Sequence, residues 1–277
     1  MPRPDPWRHR GFVVGGGLLA VFVASVALAP LLAPHDPHAV AEGAAATLEA
    51  PGGAHPFGTD ALGRDLLSRV LWGGRVSLTV GVGVELMAAL IGCGVGLVAG
   101  FYGGWLDALL MRGTDVVMAF PSLVLAIGLI AVFERPGLDK VVVVLVALGW
   151  TTIARVVRGT VLALKGRDYV QAARALGAGD LAIMLRHLLP NALAPLLVAA
   201  TIGVGGNMVA EAGLSFLGLG AQAPTISWGS MLADGQTFLA SAPWVAIFPG
   251  LALLCAVLGV NLFGDGLRDL LDPRFRD

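Results

Sequence analysis

Apolar residues in this chain run on in long blocks instead of alternating with polar ones. Six stretches stand out: about Phe12–Leu32, Val76–Phe101, Thr114–Phe133, Val141–Val157, Leu193–Leu214 and Trp244–Phe263. A helix needs ~20 apolar residues to cross a bilayer, and only a helix or a closed barrel satisfies its backbone there. The pattern therefore predicts six membrane helices. Pro121 inside the third span removes a backbone donor and predicts a kink. Gly92, Gly96 and Gly100 recur every four residues in the second, leaving one face flat for a close helix neighbour. Between spans, residues 34–60 read as an irregular loop rich in Ala, Pro, Gly and His. Ala61–Trp72 reads as an amphipathic surface helix with Leu62, Leu66, Leu67 and Val70 on its apolar face. Ser215–Pro243 has no Lys or Arg, and its glycines and proline predict irregular structure with tryptophans at a membrane interface.

One polar segment breaks the pattern. Asp168–Pro190 is polar, helix-forming and flanked by long apolar spans, so it must project into water. Asp168 and Gln171 have the spacing of a capping box. Gly177 fits a helix-ending position. Asp180 can cap a second helix running to Leu189, which Pro190 would stop. Tyr169, Ala172, Ala173 and Leu176 fall at i, i+3, i+4 and i+7, on one face of the first helix. A short helix held rigidly outside the membrane is a lever for a soluble partner.

Composition agrees with burial in lipid. The chain is 56% apolar and 13% charged, with two lysines in 277 residues. A net charge of −1 gives no general affinity for nucleic acid. Cys93 and Cys255 lie in separate apolar spans and read as buried thiols, not metal ligands. Charge also sets orientation. With the N-terminus inside, the cytoplasmic segments hold 13 of the 18 basic residues: Arg3, Arg8, Arg10, Arg112, Arg155, Arg158, Lys165, Arg167, Arg174, Arg186, Arg268, Arg274 and Arg276. The outer segments hold Arg64, Arg69, Arg75, Arg135 and Lys140. The positive-inside rule favours N-in, C-in, and the three arginines of the first outer loop are the weak point. The first span follows Arg8 and Arg10 and precedes Ala27-Leu28-Ala29, but it is too long for a signal-peptide core and is read as a retained helix.

The chemistry-bearing residues are few. No phosphate loop ends in Lys-Ser or Lys-Thr, and neither His-Glu-x-x-His nor Gly-x-Ser-x-Gly occurs. No catalytic residue is assigned, and any ATP is bound by a partner. His35 and His38 share the outer loop with Asp36, but a credible metal site needs three or four placed ligands, so this reads as a solvated loop and no metal is assigned. Arg112 and Asp115 read as an ion pair within one helix. Glu85 lies deep in the second span, where a charge costs ~2.5–3.5 kcal/mol on insertion scales. It either contacts substrate or a partner permease, or sits near the interface in water. Glu211 ends the fifth span beside Ser215. Glu85, Glu211 and Ser215 are the candidates for a path or gate.

At this point the chain resembles a known family. Gln171, Ala172, Ala173, Gly177, Leu189 and Pro190 are similar to the "EAA" loop of importer-type ABC permeases, with Gln where the family has Glu. Flanking motifs extend the resemblance over about residues 11–276: His55-Pro56-Phe57-Gly58-Thr59-Asp60, Gly63-Arg64-Asp65, Arg75-Val76-Ser77-Leu78, Ala119-Phe120-Pro121, Arg186–Asn191, Glu211–Gly220, Ser227-Trp228-Gly229 and Asn261–Asp269. In this order they resemble the C-type subunit of the dipeptide/oligopeptide/nickel permeases. The resemblance implies an all-α, six-helix ABC permease in a prokaryotic inner membrane. Residues 1–33 are then a tail and first helix, and 34–75 an outer loop with an amphipathic segment. Residues 76–264 form a five-helix core with a cytoplasmic coupling loop at 165–190, and 265–277 a cytoplasmic tail. It implies that Tyr169, Gln171, Ala172, Ala173, Leu176, Gly177, Leu189 and Pro190 meet an ATPase. It also implies as partners a homologous permease, one or two cytoplasmic ATPases carrying ATP and Mg, and an extracytoplasmic solute-binding protein. The chain itself holds no cofactor. Peptides are the expected cargo, with nickel or another small solute as the alternative. A secondary transporter is the alternative of another class; it would place several ionisable groups at the midplane.

Overall fold

The computed structural model describes residues 10–40 and 47–271. Arg3, Arg8, Arg274 and Arg276, counted above for orientation, lie outside the described residues. Eleven α-helices are named here in chain order: α1 (Arg10–Ala27), α2 (Ala29–Leu32), α3 (Leu66–Tyr102), α4 (Gly104–Met118), α5 (Ser122–Ile130), α6 (Leu138–Leu164), α7 (Asp168–Ala175), α8 (Asp180–Ile183), α9 (Leu189–Phe216), α10 (Trp228–Gly235) and α11 (Trp244–Leu271). Among the described residues no strand is named, only an isolated bridge between Thr59 and Asp65.

Four helical runs are long and apolar enough to cross a membrane: Leu66–Tyr102, Leu138–Leu164, Asp180–Phe216 and Trp244–Leu271. The pair α4 and α5 makes a fifth if counted as one span, and Gly11–Ala27 is a shorter apolar helix. α4 and α5 meet at an 86° bend across Ala119–Pro121. The expected kink is therefore a full break in the helix.

The predicted amphipathic helix at Ala61–Trp72 does not form. Asp65 caps α3, accepting from the Ser68 N–H at 2.8 Å, and the helix runs unbroken into the span. Its 37 residues extend for about 55 Å at 1.5 Å each, well beyond a ~30 Å hydrocarbon core. Leu66 and Val70 are buried against Trp228, Met231 and Val245, not laid on a lipid surface. Trp228 is likewise core, not interface: it is 1% exposed, and its indole N–H donates to the Val70 carbonyl at 2.9 Å.

The glycine stripe of α3 faces α6. A Cβ on Gly92 would sit 2.4 Å from the Trp150 carbonyl oxygen, and one on Gly96 would sit 2.5 Å from that of Ala154. The two backbones are thus in direct contact, as the spacing implied. α1 lies against α11 with similar intimacy, Gly15 against Leu262 and Phe263, Gly266 against Phe12. α1 is antiparallel to both α3 and α11, since Val26 meets Gly74 while Phe12 stacks beside Phe263 at 5.1 Å. Both ends of the described chain consequently share one end of the bundle with α7, whose Arg174 lies over the Phe101 ring near the end of α3. α10 and the 47–65 loop cover the other end. Neither cysteine is fully buried: Cys93 is half-buried and Cys255 is exposed on the bundle surface, against expectation.

Candidate functional site

Three regions bear on function: the projecting segment, a groove along α4–α6 and α9, and the polar clamps that hold the bundle.

In the projecting segment, α7 starts at Asp168 with Arg167 in the cap position and no side-chain cap bond. The capping box expected from Asp168 and Gln171 is absent; the Gln171 amide instead donates to the Lys165 carbonyl at 3.4 Å. Gly177 has φ +83° and closes the helix as predicted. Its N–H donates to Arg174 and the Ala178 N–H to Ala173, both at 3.0 Å, the paired bonds of a Schellman motif. Val170 and Ala173 turn inward, 0% and 9% exposed, and Val170 packs with Ile183, Leu188 and Phe101. Ala173, expected on the free face, is thus buried, and Val170 joins the helix to the core. Tyr169, Gln171, Ala172 and Leu176 point outward, and Leu176 is 88% exposed.

The second half differs more. Asp180 opens α8 from within, and Gly179 holds the cap position. Pro190 does not stop the helix. Met184–Leu188 widen into a π turn, with the Leu189 N–H bonded to Met184, and the helix continues from α8 into α9. A π turn shifts the bonding register just before the residue that lacks an N–H, so the proline ring is accommodated in the first turn of α9. α7, α8 and α9 therefore form one bracket: a docked helix, a glycine turn and a continuous helix 37 residues long from Asp180 to Phe216, with Pro195 inside it.

The groove is a cavity of about 660 Å³ walled by Val117, Phe120 and Leu123 on one side, Leu148 and Thr152 on another, and Asn207 and Ala210 on α9. Its lining is mostly apolar, with Ser122, Thr151, Thr152 and Asn207 as polar points. None of these was assigned to a path from sequence, although Phe120 belongs to the Ala119-Phe120-Pro121 motif. The available signal was Asn207, a lone amide in an apolar run, and Phe120, adjacent to the helix-breaking Pro121.

Glu85 does not line the groove. It is 5% exposed on α3, packed against Gly203, and accepts from the Asn207 amide at 2.9 Å. It is buried away from water and holds Asn207, which faces the groove. Glu211 and Ser215 also lie off the groove. Glu211 is 0% exposed, accepting from Ser215 at 2.7 Å and from Ser77 of α3 at 3.3 Å. Ser215 Oγ in turn accepts from the Ala221 N–H at 2.9 Å. This chain of bonds ties α3, α9 and the loop before α10 into one unit.

The remaining charges clamp helices together. Asp115 pairs with Arg155 at 2.6 Å, across α4 and α6, instead of with Arg112. Asp107 receives Arg158 at 2.7 Å across the same pair of helices. At the far end, Arg64 pairs with Asp60 at 2.7 Å, and Arg75 donates to the carbonyls of Val26 and Ala27 at 3.0 Å, capping α1. Arg69 is buried between Asp60 and the Pro37 carbonyl. The three arginines that weakened the charge rule are therefore each bonded within the chain. Burial alone would raise the Asp65 carboxyl, but hydrogen bonds from the Ser68 side chain and backbone and from His55 outweigh it and hold the group below its ordinary range.

Residues 92–277 match the family described as binding-protein-dependent transport system inner membrane component. The chain belongs to that family. Residues 7–51 match the N-terminal transmembrane domain of oligopeptide transport permease C. A putative peptide transport system permease of Brucella abortus is 45% identical over 97% of this chain and 90% of its own length. A dipeptide transport system permease of Alkalihalophilus pseudofirmus is 40% identical, covering 98% and 91%. A glutathione transport system permease of Pectobacterium atrosepticum is 41% identical, covering 98% and 92%. The inward-facing methionine ABC transporter MetNI shares the fold at TM-score 0.61 and 22% identity, over 73% of this chain and 96% of that one. The protein is thus an all-helical, multi-pass inner-membrane ABC permease of the peptide-transport family, and the alternative of a secondary transporter falls away.

Proposed function

We propose that this chain is one of two membrane subunits of an ATP-driven importer of small peptides, and that it couples to a cytoplasmic ATPase through residues 168–190. The exposed face of α7 carries the proposal: Tyr169 and Leu176 stand 40% and 88% exposed on a helix whose other face is locked down by Val170 and Ala173. A surface apolar pair of this kind matches the helix-in-groove mode of recognition. Closure of the ATPase would push on α7, and the Gly177 turn and the helix from Asp180 to Phe216 would carry that displacement into the membrane. The basic residues of this end support N-in, C-in topology with six crossings, the shorter α1 and the bent α4–α5 pair each counting as one.

The groove beside α5 is our candidate for this chain's half of the path, completed by a homologous permease. Its apolar walls and few polar points suit a cargo with a peptide backbone and variable side chains. The relatives named for peptides, a dipeptide and glutathione support small peptides as the cargo class, delivered by an extracytoplasmic binding protein. Uptake of labelled dipeptides, longer peptides and nickel, in cells lacking the chain and in the same cells with it restored, tests this. Restored peptide uptake is expected. Restored nickel uptake alone, or restoration of neither, would overturn the cargo assignment.

A further inference from the structure

On the outer end of the bundle, three positions between α2 and α3 bring two imidazoles and a carboxylate together. One ligand atom from each of His35, His55 and Asp65 lies within 4.8 Å of the others. His55 Nδ1 is 2.9 Å from Asp65 Oδ1, and His35 Nδ1 is 3.7 Å from the same oxygen. Around a tetrahedral ion with ligand bonds of 2.0–2.1 Å, neighbouring donor atoms stand about 3.3 Å apart. The two separations to Asp65 bracket that value, and the two imidazoles lie within 4.8 Å of each other.

We propose that His35, His55 and Asp65 form a binding site for a divalent transition-metal ion, zinc in the first instance, on the extracytoplasmic face. The carboxylate is prepared for it. Asp65 Oδ2 accepts from the Ser68 N–H at 2.8 Å and from the Ser68 hydroxyl at 2.6 Å, which leaves Oδ1 turned towards both histidines. Ser68 Oγ also accepts from the His35 N–H at 3.2 Å, fixing the backbone that carries the outer ligand. Supporting bonds of this kind orient metal ligands and raise their affinity. The fourth position opens to solvent, because the His35 side chain is 44% exposed while that of Asp65 is 1% exposed. Two imidazoles and one carboxylate favour zinc, nickel, cobalt or copper over calcium and magnesium, which take oxygen ligands. Bound there, the ion ties the loop after α2 to the first turn of α3. His38 is not part of the set: its N–H donates to Asp36 Oδ1 at 2.8 Å in a local turn.

The test uses the full-length permease, purified through a tag without histidines, stripped with chelator and titrated with zinc ions alone by calorimetry. Wild-type protein and the His38→Gln variant are expected to bind one equivalent with the same affinity. His35→Gln, which leaves the His55–Asp65–Ser68 bonds in place, is expected to bind at least tenfold more weakly. Its unchanged melting temperature in chelator would show that it is folded. Absence of saturable binding to the wild type, or equal affinity in His35→Gln, would overturn the proposal. The result is independent of the cargo carried.

Discussion

Gly177 sits at φ +83°, and a Cβ added there would meet no other atom within 4 Å, so substitution strains the backbone and nothing else. A non-glycine residue in that region costs about 1–2 kcal/mol. Gly177→Leu should therefore abolish uptake by misaligning α7 while membrane insertion, read by fractionation, is unchanged. Glu85 invites a different test. Glu85→Gln keeps an acceptor for Asn207 and should retain uptake close to wild type, whereas Glu85→Leu leaves the Asn207 amide without its partner and should lower it. Equal loss in both variants would show that the charge itself is needed. Gly177 was legible in the sequence because a helix end demands a left-handed residue. The partners of Glu85 and of Asp115 were not, because Asn207 and Arg155 are 122 and 40 residues away and only packing brings them close.

The contact between α3 and α6 gives a sharp test at the level of elements. Gly96 faces the Ala154 carbonyl, while a Cβ on Gly94 of the same helix meets nothing within 4 Å. Gly96→Leu must push the two helices apart and should cost about 1–3 kcal/mol or more, lowering the melting temperature in detergent. Gly94→Leu should leave it nearly unchanged. The long apolar runs and the four-residue glycine spacing made these helices readable from sequence. Their ends were less so. Leu66–Trp72 looked amphipathic because it covers α10 rather than lipid, and that partner lies more than 150 residues further on. Pro190 looked like a stop because a π turn, which no local sequence pattern announces, absorbs its missing donor.

At the scale of the whole molecule, the two ends of the bundle do different work. One end is closed by the Arg64 and Arg69 pairs with Asp60 and by the buried Trp228. The other presents α7, a short helix whose inner face is buried and whose outer face carries Tyr169 and Leu176 to solvent. The family resemblance of residues 168–190 was legible in the sequence, but which alanine faces out was not: Ala173 is buried, 9% exposed, while Ala172 is exposed. Coupling through the outward face is most directly tested by co-purifying the ATPase subunits with the tagged permease from membranes, using wild type and a Tyr169→Ala/Leu176→Asp double variant. Both substitutions lie on exposed positions, so the variant should insert and fold normally yet bring down little or no ATPase. Recovery of ATPase at the wild-type ratio would contradict docking on α7.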